Sequence, residues 1–322
     1  MSEPLITGST MEAEDGPRLG SGEGRLSLLD WKAANVRASW LLALGTVAVL
    51  GGVGYLLALA LEPGAWLPFV LLAVGVASFQ SFAAYRFSDR MALAASGARP
   101  ATREEQRYLV NVSEAVSIGA GVPVPRVFVI DSEAPNAFAT GRNPENSVIA
   151  VTSGLLEMLD RQELEGVVAH EMAHIRNLDI RFASMLAATV GAVVLLRDVV
   201  LRSFRYRGTR RSRNTKGGGQ AVALILLVVA LLLAPLLVML LRMAVSRRRE
   251  FLADATGAYI TRNPEGLARA LEKMRDFPGE PLRVSQGVEH LFFTNPHASL
   301  NASGLFATHP PIDERIDRLR RM

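Results

Sequence analysis

Two histidines and a glutamate lie close together in the middle of this 322-residue chain, at a spacing that suits a metal ion. Residues 170–174 read HEMAH, so His170 and His174 are four positions apart, with Glu171 directly after the first. On a helix, positions four apart lie one turn apart on the same face, so both imidazoles can hold one Zn²⁺. Glu171 then lies beside the metal, where it can accept a proton from an attacking water molecule. A chance match is expected in roughly 0.5% of sequences of this composition, which favours metal binding over two unrelated histidines.

The residues before the motif favour the helix that this spacing requires. Asp160 followed three residues later by Glu163 is typical of a helix start. An apolar stripe then continues through Leu164, Val167, Val168 and Met172. A helix is therefore predicted over residues 160–177.

A catalytic zinc site needs a third protein ligand, and the sequence leaves several candidates. The long pattern HExxHxxGxxH is excluded, because Asn177 and Ile180 occupy the positions of its glycine and third histidine. The remaining candidates are Glu250, Asp254, His290, His297 and His309. Glu250 and Asp254 are four apart in RRREFLADATGAY, where one carboxylate can bind the metal and the other can orient a ligand histidine. The alternative is that RRRE is a juxtamembrane basic cluster with a solvated counter-charge.

The elements that must position these side chains include membrane spans. The chain is 49% hydrophobic and 20% charged, which is more apolar than a soluble domain needs. Residues 38–61 and 63–85 contain no charged side chain, and each run exceeds the roughly 20 residues that cross a bilayer. Only a tight turn separates them, so they form a hairpin. Basic residues flank this hairpin and none lies at its tip, which predicts that both flanks are cytoplasmic.

Two further apolar runs separate HEMAH from Glu250. Residues 221–241 are long enough to span, whereas residues 182–196 cover only about 22 Å as a helix. Arg197 and Asp198 directly after the shorter run are interpreted as a helix end that reaches the interface, rather than as a functional intramembrane pair. A channel or transporter would be expected to have several intramembrane ionisable groups that face one another, and this single pair does not indicate one.

If one metal is bound by residues that precede these two runs and by residues that follow them, both flanking segments must lie on the same face of the membrane. Two crossings satisfy this requirement. Two crossings, however, place the basic loop at residues 202–216 outside, against the usual charge bias. Either both runs are only partly embedded, or the first hairpin sets the orientation and the loop is an exception. Four spans are predicted.

A strand hairpin is predicted before the HEMAH helix. Residues 126–131 and 147–152 are rich in β-branched side chains, and the second run can pair with residues 136–140 across the turn GRNPEN. We predict that Asn136, Ala137 and Phe138 form an exposed edge that binds an extended peptide by strand addition. The competing interpretation is an internal core strand.

The rest of the sequence predicts two further helices and excludes several kinds of site. Helices are predicted from Pro264 and from Pro311, with buried stripes at Leu267, Leu271 and Met274 and at Ile312, Ile316 and Leu319. The polar, Gly- and Ser-rich N terminus is predicted to be disordered. The chain has no cysteine, which excludes disulfides, thiolate metal sites and thiol nucleophiles. The net charge of +4 gives little reason to expect a nucleic-acid partner.

Four motifs in order resemble a known family. PNAFATG, HEMAHIRNLD, EFLADATGA and THPPIDERIDRL are similar to segments of the HtpX-type membrane zinc endopeptidases, which are related to the Ste24-like CAAX prenyl proteases. The similarity runs from the first hydrophobic hairpin to the C terminus. It implies these roles: zinc ligands His170, His174 and Glu250, catalytic base Glu171, orienting carboxylate Asp254, and groups near the substrate or tetrahedral intermediate His309 and Arg315. The alternative for His309 is a helix-entry residue before Pro310 and Pro311.

The expected fold is a mainly α integral membrane protein with a gluzincin-like α+β zinc peptidase domain, in which a small β-hairpin or sheet precedes the HExxH helix. The expected domains are a disordered cytoplasmic tail (1–37), a transmembrane hairpin (38–85), a first catalytic part (86–181), a second membrane-associated helix pair with basic loop 202–220 (182–245), and a second catalytic part (246–322).

The expected activity is zinc-dependent cleavage of membrane or membrane-associated proteins, with misfolded proteins as the expected substrates. The enzyme is expected to hold one Zn²⁺ per chain and to be a multi-pass protein of the cytoplasmic (inner) membrane, with its site facing the cytoplasm. Its expected partners are polypeptides and the lipid bilayer, and the sequence gives no oligomeric state. The alternative is a non-proteolytic, zinc-stabilised scaffold or holdase, against which the intact Glu171 argues.

Overall fold

A computed structural model describes residues 28–61, 63–186, 247–280, 282, 284, 291–294 and 310–322. Within these residues the chain is mostly helical, with one small sheet. The helices are α1 (Leu28–Leu61), α2 (Trp66–Ser96), α3 (Arg103–Ala120), α4 (Ser153–Met158), α5 (Arg161–Arg176), α6 (Arg247–Thr261), α7 (Pro264–Arg275) and α8 (Ile312–Leu319). The strands are β1 (Arg99–Pro100), β2 (Arg126–Ile130), β3 (Ala137–Gly141) and β4 (Ser147–Thr152).

The two apolar segments predicted near the N terminus are helical. α1 and α2 pack against each other across a short turn at Pro63–Ala65. Within the described residues, Lys32–Gly52 and Trp66–Ser96 are long and apolar enough to cross a membrane, by length and composition. Many of their large apolar side chains face outwards, and Phe79 is 72% exposed. An outward apolar surface of this kind suits a lipid environment.

The first helix begins earlier than the sequence suggested. Residues 28–37, which were expected to belong to the disordered tail, form the first turns of α1. They contain neither glycine nor proline, so nothing in their sequence opposes helix formation. The tail prediction for residues 1–27 lies outside the described residues. So do the predictions for Arg197, Asp198, the basic loop and residues 221–241, whereas residues 182–186 of the third apolar run are helical.

The predicted hairpin is confirmed in its pairing. β3 runs antiparallel to β4, with Ala137 opposite Val151 and Gly141 opposite Ser147. β2 is parallel to β4, and the order in the sheet is β1-β2-β4-β3. β3 is therefore the terminal strand of the sheet.

Helix α5 forms the centre of the buried core. It packs against α3, α6, α7 and the sheet, and Val167, Val168 and Met172 are fully buried, as the apolar stripe predicted. The stripes predicted on α7 and α8 are also buried. A Cβ on Gly166 would lie 2.8 Å from backbone atoms of Leu267, so glycine here lets α5 and α7 approach closely.

Candidate metal centre

The helix that carries HEMAH begins as its sequence predicted. The Asp160 side chain accepts from the Glu163 backbone N–H at 3.0 Å, and the Glu163 carboxylate accepts from the Asp160 N–H at 2.8 Å. This reciprocal cap satisfies two amides that the first helical turn leaves without a partner. It fixes where α5 starts, and the four-residue spacing on this helix places His170 and His174 on one face.

Three donor groups from two helices meet beside α5. The Nε2 atoms of His170 and His174 lie 3.1 Å apart, and each lies 3.7 Å from an oxygen of Glu250 on α6. The ligand atoms of these residues all lie within 4.8 Å of one another. Among the candidates for a third ligand, the structure therefore brings Glu250 to the histidine pair.

The donor set fits zinc. Ligands about 2.0–2.1 Å from a tetrahedral zinc are about 3.3 Å apart, close to the separations seen here. Two imidazoles and one carboxylate are also a donor set that catalytic zinc sites use, with a fourth position left for water.

A buried carboxylate–arginine pair holds His170. Its Nδ1 lies 2.9 Å from Asp254 Oδ1. Arg315 donates to both Asp254 oxygens, at 2.9 and 2.7 Å, and is only 1% exposed. Burial opposes ionisation of Asp254, but the Arg315 charge and the His170 hydrogen bond outweigh it and lower the Asp254 pKa to about 2. Asp254 therefore stays ionised and orients His170 with its Nε2 towards Glu250.

A second carboxylate, which the sequence analysis missed, holds His174. The Nδ1 atom of His174 lies 2.9 Å from Asp179 Oδ2, and Arg249 Nε lies 3.1 Å from the other Asp179 oxygen. Asp179 is the last residue of HEMAHIRNLD, five positions after His174. That spacing was the available signal, but it shows no contact unless the chain turns back directly after α5.

In the metal-free protein the pKa values of the two histidines are shifted in opposite directions. Burial lowers the pKa of His170 to about 4, although the Asp254 hydrogen bond opposes this shift. Burial also acts on His174, but there the Asp179 hydrogen bond and the Glu250 charge outweigh it and raise the pKa to about 9. The carboxylates thus concentrate negative charge around His174, which favours a cation between the ligands.

The side chain of Glu171 is buried between α5 and β3. Burial is the largest influence on it and raises its pKa to about 7, with the charge of Glu250 adding to the rise. His174 and a hydrogen bond from the Ala139 backbone act in the opposite direction. A carboxyl group with a pKa near neutrality can both accept and donate a proton at physiological pH.

Arg315, predicted as a group near the substrate or tetrahedral intermediate, lies beside His170 in the structure. Its guanidinium lies on the Nδ1 side of His170, 3.4 Å from that nitrogen, and also donates to the Phe293 carbonyl at 3.3 Å. These contacts and the pair with Asp254 give Arg315 a role in orienting Asp254. Contact of Arg315 with the substrate or tetrahedral intermediate stays a prediction. His309, together with His290 and His297, lies outside the described residues.

The predicted peptide-binding edge is already paired. Asn136, Ala137 and Phe138 are buried, and the Phe293 N–H donates to the Ala137 carbonyl at 2.7 Å. The Asn136 side chain donates to the Thr294 carbonyl and accepts from its N–H. These three residues are thus at the end of the sheet, as expected, but not exposed, because residues 292–294 of the same chain occupy their hydrogen-bonding positions.

Comparison with known proteins gave consistent similarities. A model of peptidase family M48 matches residues 103–322. The protein named Protease HtpX homolog from Thermoanaerobacter pseudethanolicus is 44% identical over 300 residues, which cover 92% of this chain and 99% of that protein. The protein of the same name from Dictyoglomus turgidum is 44% identical over 255 residues, or 79% of this chain and 82% of that one. A solved structure titled Crystal Structure of S. mikatae Ste24p aligns with a TM-score of 0.48 and 20% identity, over 89% of this chain and 67% of that chain.

Proposed function

Because this chain belongs to peptidase family M48 and is a metalloendopeptidase, we propose that it is a zinc enzyme of the cytoplasmic membrane. Its proposed substrates are membrane or membrane-associated proteins, misfolded ones among them, which it cuts on the cytoplasmic side. One observation carries the proposal. Two imidazole nitrogens of α5 and a carboxylate of α6 lie within 4.8 Å of one another, although the residues are far apart in the sequence.

The proposed zinc ligands are His170, His174 and Glu250, and they hold one Zn²⁺ per chain. A bound zinc ion supplies Lewis acidity towards the scissile carbonyl and lowers the pKa of water towards about 7. The contacts that support the assignment are those of the two Nδ1 atoms, since both are held by carboxylates. Asp254 and Asp179 thereby keep the Nε2 atoms directed towards Glu250.

Glu171 is the proposed general base. Its carboxylate accepts a proton from the attacking water and later donates it to the departing amine. Burial raises the pKa of this group in the metal-free protein, and a buried carboxylate that binds a proton readily is suited to accept one from water. His309 remains a predicted group near the tetrahedral intermediate. Peptide binding along Asn136–Phe138 also remains a prediction, and it would require the peptide to replace residues 292–294 there.

The test is a Glu171→Gln substitution in the full chain purified in detergent. We expect the variant to bind zinc as the unsubstituted chain does and to lose casein cleavage by at least 10³-fold, on the order expected for removal of a general base. Glu165→Gln, on the same helix but in a surface ion pair with Arg161, is the matched control and should keep its activity. Substantial cleavage by Glu171→Gln would reject the mechanism, whereas a zinc-loaded but inactive unsubstituted chain would favour the scaffold alternative.

A further inference from the structure

One polar residue of the first membrane helix reaches the metal centre. Asn35 lies near the start of α1 and is 2% exposed. Its Nδ2 donates to Asp179 Oδ1 at 2.6 Å and to the Asn177 carbonyl at 3.0 Å. Its Oδ1 accepts from Arg249 Nη2 at 3.2 Å. A single side chain of α1 therefore bonds both to the carboxylate that orients His174 and to the arginine paired with that carboxylate.

The backbone that Asn35 contacts is strained. Leu178, between Asn177 and Asp179, has φ of 61°, in the left-handed region that non-glycine residues rarely adopt. This turn brings Asp179 back against His174 directly after α5 ends. Such a conformation persists only where surrounding contacts stabilise it. Asn35 supplies a hydrogen bond to the residue on each side of Leu178.

The same end of α1 is fixed by apolar packing. Leu42, two helical turns beyond Asn35, is buried in one cluster with Phe182, Met185 and Leu186. Those residues belong to the helical segment 179–186 that begins at Asp179. The amide contacts and this cluster thus join α1 to the segment that follows the HEMAH helix.

We propose that Asn35 is a positioning residue for His174, acting through Asp179, so that the first membrane helix forms part of the metal centre. This inference rests on the proposed function, because it takes His174 as a metal ligand. The two histidines differ in this respect. His170 is oriented by Asp254 and Arg315, both in the catalytic core, whereas the Asp179 that orients His174 is held by Asn35 of α1 as well as by Arg249 of α6. Displacement of α1 would therefore loosen one ligand and leave the other in place.

The inference can be tested by metal affinity in the full-length chain. The Glu171→Gln background prevents self-cleavage, and the chain is kept in detergent. Zn²⁺ affinity is measured by chelator competition, and the visible absorption of the Co²⁺ form reports on ligand geometry. We expect Asn35→Ala to weaken Zn²⁺ binding about 10-fold, as loss of an outer hydrogen-bond partner does, and to change the Co²⁺ spectrum. Asp179→Ala should weaken binding at least as much, and the double variant no more than Asp179→Ala alone.

The matched control is Ser39→Ala. Ser39 is buried one turn along α1, and its hydroxyl donates to the Asn35 carbonyl at 2.8 Å, outside the contacts with Asp179. It should keep both the affinity and the Co²⁺ spectrum. If circular dichroism shows that Asn35→Ala does not fold, Asn35→Ser, whose hydroxyl is too short to reach Asp179, replaces it.

Two results would overturn the inference. In the first, Asn35→Ala binds metal like Ser39→Ala. In the second, the effects of Asn35→Ala and Asp179→Ala add in full, so that Asn35 does not act through Asp179. Failure of the proposed function gives a different result, because the unsubstituted chain would then bind no zinc or would bind it equally well after His170→Ala.

Discussion

Each of the proposed ligand histidines contacts a carboxylate that is paired with an arginine. Asp254 and Arg315 are next to His170, and Asp179 and Arg249 are next to His174. Each carboxylate therefore has one oxygen directed at an imidazole Nδ1. This arrangement fixes the ring orientation and leaves Nε2 to face the metal. The arginines matter because an ionised carboxylate buried without a partner is costly.

We expect removal of the Arg315 guanidinium to destabilise the fold strongly. Arg315→Met leaves Asp254 as an unpaired buried charge, which should cost about 3–5 kcal/mol of the free energy of unfolding. Arg315→Lys should recover only part of this loss, because an ammonium group cannot pair with both oxygens of Asp254 at once. Chemical denaturation of the metal-free chain in detergent measures both effects.

Arg318→Ala provides the comparison for Arg315. Arg318 lies on the same helix, about half exposed, in an ion pair with Glu314. Its loss should cost about 1 kcal/mol or less. Equal losses at Arg315 and Arg318 would show that the buried pair with Asp254 has no special importance.

The raised pKa of Glu171 predicts that the difference in stability between the unsubstituted chain and Glu171→Gln changes with pH. In the metal-free fold its pKa rises from 4.5 to about 7, so the folded state holds this proton more tightly than the unfolded chain. The associated stability is fully present below pH 4.5 and is lost as the pH rises through 7. Glu171→Gln stays neutral, so it should be more stable than the unsubstituted chain by about 3 kcal/mol at pH 8.

Unfolding of EDTA-treated protein at pH 4, 6 and 8 checks this prediction. The two chains should unfold alike at pH 4 and diverge with rising pH. A difference that stays the same at all three values would mean that Glu171 keeps an ordinary pKa in the fold.

The close approach of α5 and α6 is what brings Glu250 and Asp254 to the histidines. A Cβ on Gly257 would lie 3.0 Å from the His170 backbone nitrogen and 3.3 Å from its Cα. Contacts this short are tighter than nearly all Cβ contacts, so any side chain here requires the backbone of α5 to move away by a few tenths of an ångström. Gly257 therefore permits the packing distance that the metal centre needs.

We expect Gly257→Val to weaken zinc binding by at least 10-fold, because it forces α6 away from α5 at the level of His170. Tyr259→Val introduces the same β-branched residue at an exposed position of α6 and should leave zinc affinity unchanged. Chelator competition on both variants measures the effect. Equal affinities in the two variants would contradict the role given to Gly257.

Local signals predicted elements well, whereas contacts between distant segments were harder to predict. The start of α5 follows from Asp160 and Glu163, and the β3–β4 hairpin follows from its turn, because both depend on residues close in sequence. Asp179 was missed because its contact with His174 depends on the unusual backbone of Leu178. The pairing of residues 292–294 with Asn136–Phe138 joins segments far apart in the sequence, with Asn136 and Thr294 separated by 158 positions, and no local pattern indicates it.

The whole chain combines an apolar helical hairpin with a buried catalytic core. The convergence of α5 and α6 requires the two flanks of residues 187–246 to lie on the same side of any membrane that this segment crosses. We predict two crossings there, and reporter fusions at Arg210 test this. A reporter fused there is expected outside the cytoplasm, and cytoplasmic activity at Arg210 would contradict the four-span arrangement.

The zinc content of the purified chain tests the central proposal most directly. We expect one zinc per chain in the unsubstituted protein and in Glu265→Ala, whose carboxylate lies away from the histidines, at the start of α7. Glu250→Ala should lose that zinc on dialysis against a weak chelator, because only the two imidazoles remain as ligands. Retention of one zinc per chain by Glu250→Ala, at unchanged affinity, would contradict a site shared by α5 and α6.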